Sequence, residues 1–194
     1  MSAELEIPDD DMPRMIGFLS SVLERVAESN DGLRWSEAQK TSIFHGLTRP
    51  AISIRCYMER IFKYAKCSPS CFVVAYIYLD RFVHKQPALP LNSFNVHRLL
   101  IASVLVSAKF MDDIFYNNAY YAKVGGISRT EMNLLEVDFL FGLGFQLNVS
   151  TKTYHHYCSH LQKEMLLHFP PLSTSRNIRF HVDDQGSTQH QLAV

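Results

Sequence analysis

The most informative segment of the chain is LLIASVLVSAKFMDD, residues 99–113. Its first ten residues carry no charge, and only Ser103 and Ser107 interrupt them as small polar side chains. Because apolar residues cover nearly the whole circumference of such a helix, we expect it at the centre of a bundle. The segment ends in Lys109, two apolar residues and Asp112 with Asp113. These charges predict that the end of the central helix reaches the surface.

The composition favours one globular domain without nucleic-acid or membrane partners. The chain has 194 residues, of which 47% are hydrophobic, and 19 basic residues balance 19 acidic ones. A nucleic-acid-binding domain usually carries a clear excess of basic residues. The longest strongly apolar run, residues 99–108, is about half the length of a membrane-spanning helix.

The termini and the cysteines indicate an intracellular protein. Acidic residues precede any basic residue at the N-terminus, which is the opposite of the charge order in a secretory signal. The four cysteines lie in apolar or helical contexts, which is typical of a reducing compartment. We therefore expect the protein in the nucleus, the cytoplasm or both.

Apolar spacing and capping signals predict an all-α chain. We expect residues 1–11 to be an acidic disordered tail, residues 12–168 to form the folded domain and residues 169–194 to be a flexible tail. About five core helices, spanning roughly residues 48–147, should have one further helix at each end. The expected helix starts are Pro13, Thr48-Arg49-Pro50, Ser68-Pro69, Asn92 or Ser93, Ser128 with a capping box to Glu131, and residue 151.

No arrangement of residues indicates catalysis, and we expect neither an enzyme nor a cofactor. The strongest candidate for a metal site is Cys67 and Cys71 with His156 and His160, two pairs that each fit one helical face. Buried thiols and surface histidines explain these residues more simply, so we predict no metal. The aromatic segment at 114–123 could stack on nucleic acid, but only Lys123 accompanies it, which favours packing against neighbouring helices.

Three segments together resemble the cyclin box. They are PAISIRCYMERIFKYAKCSPSCFVVAYIYLDRF at 50–82, LLIASVLVSAKFMDD at 99–113 and RTEMNLLEVDFLFGLGFQL at 129–147. In order and spacing they are similar to the first, second, third and fifth helices of that fold. The segment FYNNAYYAKVGGIS at 115–128 resembles the plant P-type (U-type) cyclins, which are similar to the yeast phosphate-signalling cyclin.

The resemblance implies a single five-helix cyclin fold that binds and activates a cyclin-dependent protein kinase as a heterodimer. It places Lys109, Phe110 and Glu136 on the kinase-binding surface, and it implies a structural ion pair between Arg55 and Asp80. From the residue pattern alone, Lys109 could instead form a solvated pair with Asp112 or Asp113. The resemblance allows an output in cell division or in phosphate and nutrient signalling. The alternative function is a cyclin-fold scaffold for transcription factors.

One feature of many cell-cycle cyclins does not carry over. Where they have a Met-Arg-Ala-Ile-Leu docking patch, this chain has Ile54-Arg55-Cys56-Tyr57-Met58. Substrate docking at that position is therefore not expected.

Overall fold

The computed structural model describes residues 7–32 and 42–168. In these ranges the chain forms seven α-helices and one short 3-10 turn, with no β-strand. The helices are α1 Met12–Asp31, α2 Ile54–Tyr64, α3 Pro69–Lys85, α4 Val96–Met111, α5 Asn118–Gly125, α6 Arg129–Leu143 and α7 Thr151–His168. The all-α prediction is confirmed, and the described helices match five core helices with one added at each end.

Helix α4 is the centre of the bundle, as its composition predicts. Eleven of its residues, from Val96 to Ala108, are buried, including Ser103 and Ser107. Those two hydroxyls donate to the carbonyl oxygens of Leu100 and Val104 in the same helix, so both buried hydroxyls are paired. Helices α2, α3, α5 and α6 pack around α4.

Helices α1 and α7 lie on the outside of this core. Helix α1 is amphipathic and packs along α2 and against α7. Its C-terminal end is attached to the loop before α4, because Asn30 Nδ2 donates to the Leu91 carbonyl oxygen at 2.7 Å. Ser93 N also donates to Asp31 Oδ1 at 3.0 Å.

Two helices begin later than the sequence predicts. Helix α2 starts at Ile54, because the Ser53 side chain accepts a hydrogen bond from Cys56 N and caps the helix there. Helix α4 starts at Val96, because Asn95 first closes a turn. Its Oδ1 accepts from Asn92 N at 2.8 Å, and its Nδ2 donates to the Pro90 carbonyl oxygen at 2.9 Å.

The predicted capping box of α6 is half formed. Ser128 Oγ accepts from Glu131 N at 3.1 Å, as expected. The Glu131 carboxylate does not turn back to the cap. It accepts instead from Arg98 Nε of α4 at 2.7 Å, so an ion pair between helices replaces the local hydrogen bond.

The predicted N-terminal disorder is wrong for residues 7–11. Ile7 is 6% exposed and belongs to the hydrophobic core, and Asp9–Asp11 form the 3-10 turn that leads into α1. The sequence did not predict this order, because the acidic residues of the segment suggest a solvated tail and Ile7 is one apolar residue among them. Residues 1–6 and the tail predicted at 169–194 lie outside the described residues.

A close approach between α3 and α6 requires a glycine. The Phe82 ring stacks on Phe139 with centroids 5.0 Å apart and an angle of 7° between the planes. A Cβ built on Gly142 would lie 2.1 Å from Phe82 Cε2. Any side chain at position 142 would therefore displace a ring that is 1% exposed.

Candidate functional site

An ion pair joins the end of α4 to the middle of α6. Lys109 Nζ donates to Glu136 Oε1 at 2.7 Å. Their side chains are 29% and 16% exposed, so the pair is partly shielded and still reachable from outside. Asn118 at the start of α5 donates to the other carboxylate oxygen, Glu136 Oε2, at 2.6 Å. Three helices thus hold the Glu136 carboxylate in one position.

The alternative pairing of Lys109 with the following aspartates is wrong. Asp112 Oδ2 accepts from Ser68 N at 3.0 Å, at the residue that precedes α3. Helix α4 ends at Met111, and the backbone of Asp112 is already extended. The chain therefore directs Asp112 toward α3, while Lys109 stays on the helix and meets α6.

Both helices that form the ion pair also carry exposed apolar side chains. On α4 these are Phe110 and Met111, which are 48% and 42% exposed. On α6 they are Val137 and Phe141, which are 49% and 66% exposed. We call the surface formed by these residues and the ion pair the α4–α6 surface: Lys109, Phe110, Met111, Glu136, Val137 and Phe141.

Val137 and Phe141 were not predicted as site residues. They lie four positions apart on α6 and so share one face of that helix. The buried face of α6 consists of Met132, Leu135, Phe139 and Leu143. The sequence did carry a signal, because α6 contains more large apolar residues than one face can bury. Contiguous exposed apolar area of this kind often marks an interaction site.

The predicted ion pair between Arg55 and Asp80 is not formed. Arg55 is exposed on α2 and its Nε donates to Glu59 Oε1 at 3.0 Å, one helical turn away. Asp80 on α3 accepts a hydrogen bond from Tyr157 of α7, with the oxygen atoms 2.6 Å apart. Helix α7 thus supplies the partner of Asp80, which a comparison of α2 and α3 alone could not anticipate.

The segment 54–58, where substrate docking is not expected, has its large apolar side chains buried. Ile54, Tyr57 and Met58 are at most 7% exposed. Helix α1 packs over this part of α2, and Ser20 Oγ lies 3.4 Å from Met58 Sδ.

The cysteine and histidine pairs lie in different surroundings. Cys71 is fully buried at the start of α3, and a hydrogen bond with the Cys71 thiol, together with burial, raises the pKa of the Cys67 thiol. His156 and His160 line a shallow cavity with Tyr157 on α7 and with α3. Within residues 7–32 and 42–168, no three His, Cys, Asp or Glu side chains are close enough to hold a metal ion.

The aromatic segment at 114–123 is divided between core and surface. Tyr121 is fully buried, in line with packing against neighbouring helices. Ile114, Phe115 and Tyr116 are exposed, with values of 87%, 47% and 41%.

As for membrane association, the described part of the chain has no helix whose length and apolar character would let it span a bilayer.

Comparison with known proteins identifies the family. A cyclin family model matches residues 13–147, which include α1 from its second residue and all of α2 to α6. The chain is 64% identical to Cyclin-U4-1 of Arabidopsis thaliana over 196 aligned positions, which cover 97% of this chain and 96% of that protein. It is 60% identical to Cyclin-P4-1 of Oryza sativa subsp. japonica, over 82% of this chain and 78% of that protein. The helical bundle is therefore a cyclin-box fold, and the chain belongs to the cyclin family.

Proposed function

We propose that this cyclin is a regulatory subunit that binds and activates a cyclin-dependent protein kinase. The observation that carries the proposal is the partly exposed Lys109–Glu136 pair on two helices that also present exposed apolar side chains. Apolar side chains supply most of the free energy of a protein interface, while fixed charges select its register. The α4–α6 surface combines both features, and membership in the cyclin family supports a regulatory role rather than a catalytic one.

The mechanism follows from what a kinase needs in order to be active. Its C-helix must swing inward so that a conserved glutamate reaches the catalytic lysine, and its activation loop must be ordered. A rigid partner that binds only the inward position shifts the equilibrium by its differential affinity for the two states. A shift from 1:99 to 99:1 requires about 5.5 kcal/mol, which an interface of about 1,600 Å² can supply.

The residues of the α4–α6 surface would have distinct roles in that complex. Phe110, Met111, Val137 and Phe141 would pack against the apolar side of the kinase C-helix. Lys109 Nζ would donate to a carbonyl oxygen of the kinase backbone, because one ammonium can make three hydrogen bonds and Glu136 takes one. Glu136 would keep the Lys109 side chain pointed at the kinase.

The heterodimer would act in cell division or in phosphate and nutrient signalling, in the nucleus, the cytoplasm or both. The sequence and the fold give these outputs equal support. The kinase that is bound would decide which substrates are phosphorylated.

The test combines binding with activity. Purified protein is mixed with each member of a panel of recombinant cyclin-dependent kinases, and complex formation and phosphorylation of a histone substrate are measured. We expect at least one kinase to form a 1:1 complex and to gain activity. The variant Phe110→Ser with Phe141→Ser should lose both properties, and Leu166→Ser with Leu167→Ser on α7, which also removes exposed apolar side chains, should retain them.

A second function is a cyclin-fold scaffold that binds transcription factors without activating a kinase. The exposed apolar surface would also suit such a partner. If a transcription factor bound the α4–α6 surface and no kinase of the panel did, the scaffold function would replace the proposed one.

A further inference from the structure

Four cationic side chains gather where the end of α2 meets α5. Two come from α2, one from the loop that follows it and one from α5, and we call the group the α2–α5 basic surface: Arg60, Lys63, Lys66 and Lys123. Arg60 Nη2 donates to the Lys123 carbonyl oxygen at 2.9 Å, which connects the two helices. The three lysines are exposed and Arg60 is half-buried.

Tyrosine rings position two of these cations. Lys63 Nζ lies 5.3 Å from the centroid of the Tyr64 ring, and Lys66 Nζ lies 5.8 Å from that of Tyr116. Tyr116 stacks on Tyr120 with centroids 4.2 Å apart, and Tyr120 OH donates to the Tyr64 carbonyl oxygen at 2.7 Å. The attraction between an ammonium and an aromatic face restrains each lysine without neutralising its charge.

The four cations have no carboxylate partner among the residues that the structure describes. The acids near them are engaged elsewhere, since Glu59 pairs with Arg55 and Asp112 accepts from Ser68 N. The whole chain has equal numbers of acidic and basic residues, so this surface is a local excess of positive charge. Such an excess attracts and orients an anionic partner.

We propose that the α2–α5 basic surface binds an acidic peptide segment, whose anionic groups are carboxylates or phosphoserines. A single-stranded nucleic acid fits the surface less well, because it needs free aromatic faces for base stacking. Here Lys63 lies over the Tyr64 ring and Lys66 over the Tyr116 ring, and Tyr116 and Tyr120 stack on each other. The inference goes beyond the proposed kinase function and does not depend on it. In a kinase complex, the surface would recruit substrates with acidic segments.

The experiment measures binding of labelled probes to the whole purified chain by fluorescence anisotropy. The probes are a fluorescein-labelled peptide of alternating glutamate and serine, the same peptide with phosphoserine at each serine, and a single-stranded oligonucleotide of equal length. We expect both peptides to bind, with affinity that falls as the salt concentration rises, because the contacts are exposed charges. Tighter binding of the second peptide would show that the added phosphate charge strengthens the contact, and equal binding that the glutamate carboxylates suffice.

A matched pair of variants locates the site. Lys63→Gln with Lys66→Gln should weaken peptide binding by about fivefold or more at low salt, since each exposed charge pair contributes modestly. Lys152→Gln with Lys163→Gln removes the same charge from exposed positions on α7 and should change affinity by less than about twofold. Lys109→Ala should bind the peptides like the unchanged protein, so this test is independent of kinase binding.

Three results would overturn the inference. The first is no measurable binding of either peptide at low salt. The second is an equal loss of binding in the two double variants, which would indicate only non-specific attraction. The third is tighter binding of the oligonucleotide than of both peptides, which would identify a nucleic-acid surface.

Discussion

Lys109 Nζ and Glu136 Oε1 are 2.7 Å apart across the junction of α4 and α6, and the pair is formed in the chain on its own. In the proposed complex, the kinase would therefore meet a lysine whose direction is already fixed. Removing Lys109 or Glu136 should have a small effect on folding, of about 1 kcal/mol in the free energy of unfolding. The effect on kinase binding should be much larger.

We predict that Lys109→Ala and Glu136→Ala each abolish co-purification with the kinase. Truncating one member of a charge pair that becomes desolvated in an interface typically costs about 2–5 kcal/mol of binding free energy. The measurement is a pull-down with the kinase that binds the unchanged protein, with circular dichroism to check helical content. Lys152→Ala on α7 is the control. Normal kinase binding by either variant would show that the α4–α6 surface is not the interface.

The structure changes the expectation for Arg55. Because Arg55 is exposed and its side chain pairs with Glu59 on its own helix, Arg55→Ala should change the free energy of unfolding by about 0.5 kcal/mol or less. Tyr157→Phe removes the hydroxyl that binds Asp80 and should cost about 1 kcal/mol. Urea denaturation of both variants checks the order of these effects. A larger loss for Arg55→Ala would contradict the partner assignment.

Two glycines should respond in opposite ways to alanine. At Gly142 the new Cβ would overlap the Phe82 ring, so Gly142→Ala should destabilise the protein by about 1–3 kcal/mol. At Gly17 on α1 nothing lies within 4 Å of the new Cβ, and Gly17→Ala should stabilise the protein by about 0.5–1 kcal/mol through helix propensity. Chemical denaturation gives both values. Equal effects at the two positions would mean that Phe82 moves aside without cost.

Stability should fall when the solution becomes mildly acidic. Burial lowers the pKa of His97 below its ordinary value of 6.5, and the positive charge of nearby Arg98 lowers it further. The hydrogen bond between His97 and the Ile52 backbone raises this pKa, but by less than burial lowers it. The unfolded chain then takes up the proton at a higher pH than the folded chain. The contribution of His97 is therefore complete above about pH 6.5 and is lost as the pH falls toward its folded pKa. Burial lowers the pKa of His45 as well, so its contribution has the same sign.

Urea denaturation at pH 7.5 and at pH 5.5, values chosen on either side of about 6.5, tests this prediction. The free energy of unfolding should be lower at the acidic pH, and His97→Gln should reduce the difference. His160→Gln, which changes an exposed histidine on α7, is the control. An unchanged pH dependence in His97→Gln would rule out this residue as a source.

The sequence predicts those parts of the fold that depend on local patterns. Helix α7 spans Thr151–His168, in agreement with the helical stretch expected at about 151–168 from its apolar spacing. The start of α4 was misplaced because the Asn95 side chain holds a turn that resembles a helix start in sequence. The predicted partner of Asp80, Arg55, was wrong. Tyr157, which is 77 positions away on α7, donates to the Asp80 carboxylate instead.

The candidate site was predictable to a similar degree. Lys109, Phe110 and Glu136 came from the resemblance to cyclins, and the structure brings Lys109 and Glu136 into contact. Val137 and Phe141 could be assigned to the surface only from the orientation of α6, because that orientation decides which apolar side chains stay exposed. The α2–α5 basic surface was missed because Lys66 and Tyr116 are 50 positions apart in the chain, and only the packing of α2 on α5 brings them together.

The covering of α2 by α1 bears on how short a functional fragment can be. Met58, whose sulfur lies 3.4 Å from Ser20 Oγ of α1, would lose this cover in any fragment that began at α2, and newly exposed apolar surface promotes aggregation. The smallest autonomous unit should therefore begin near Met12, even though the five central helices begin at Ile54. In this cyclin the N-terminal helix is a constituent of the core rather than an appendage.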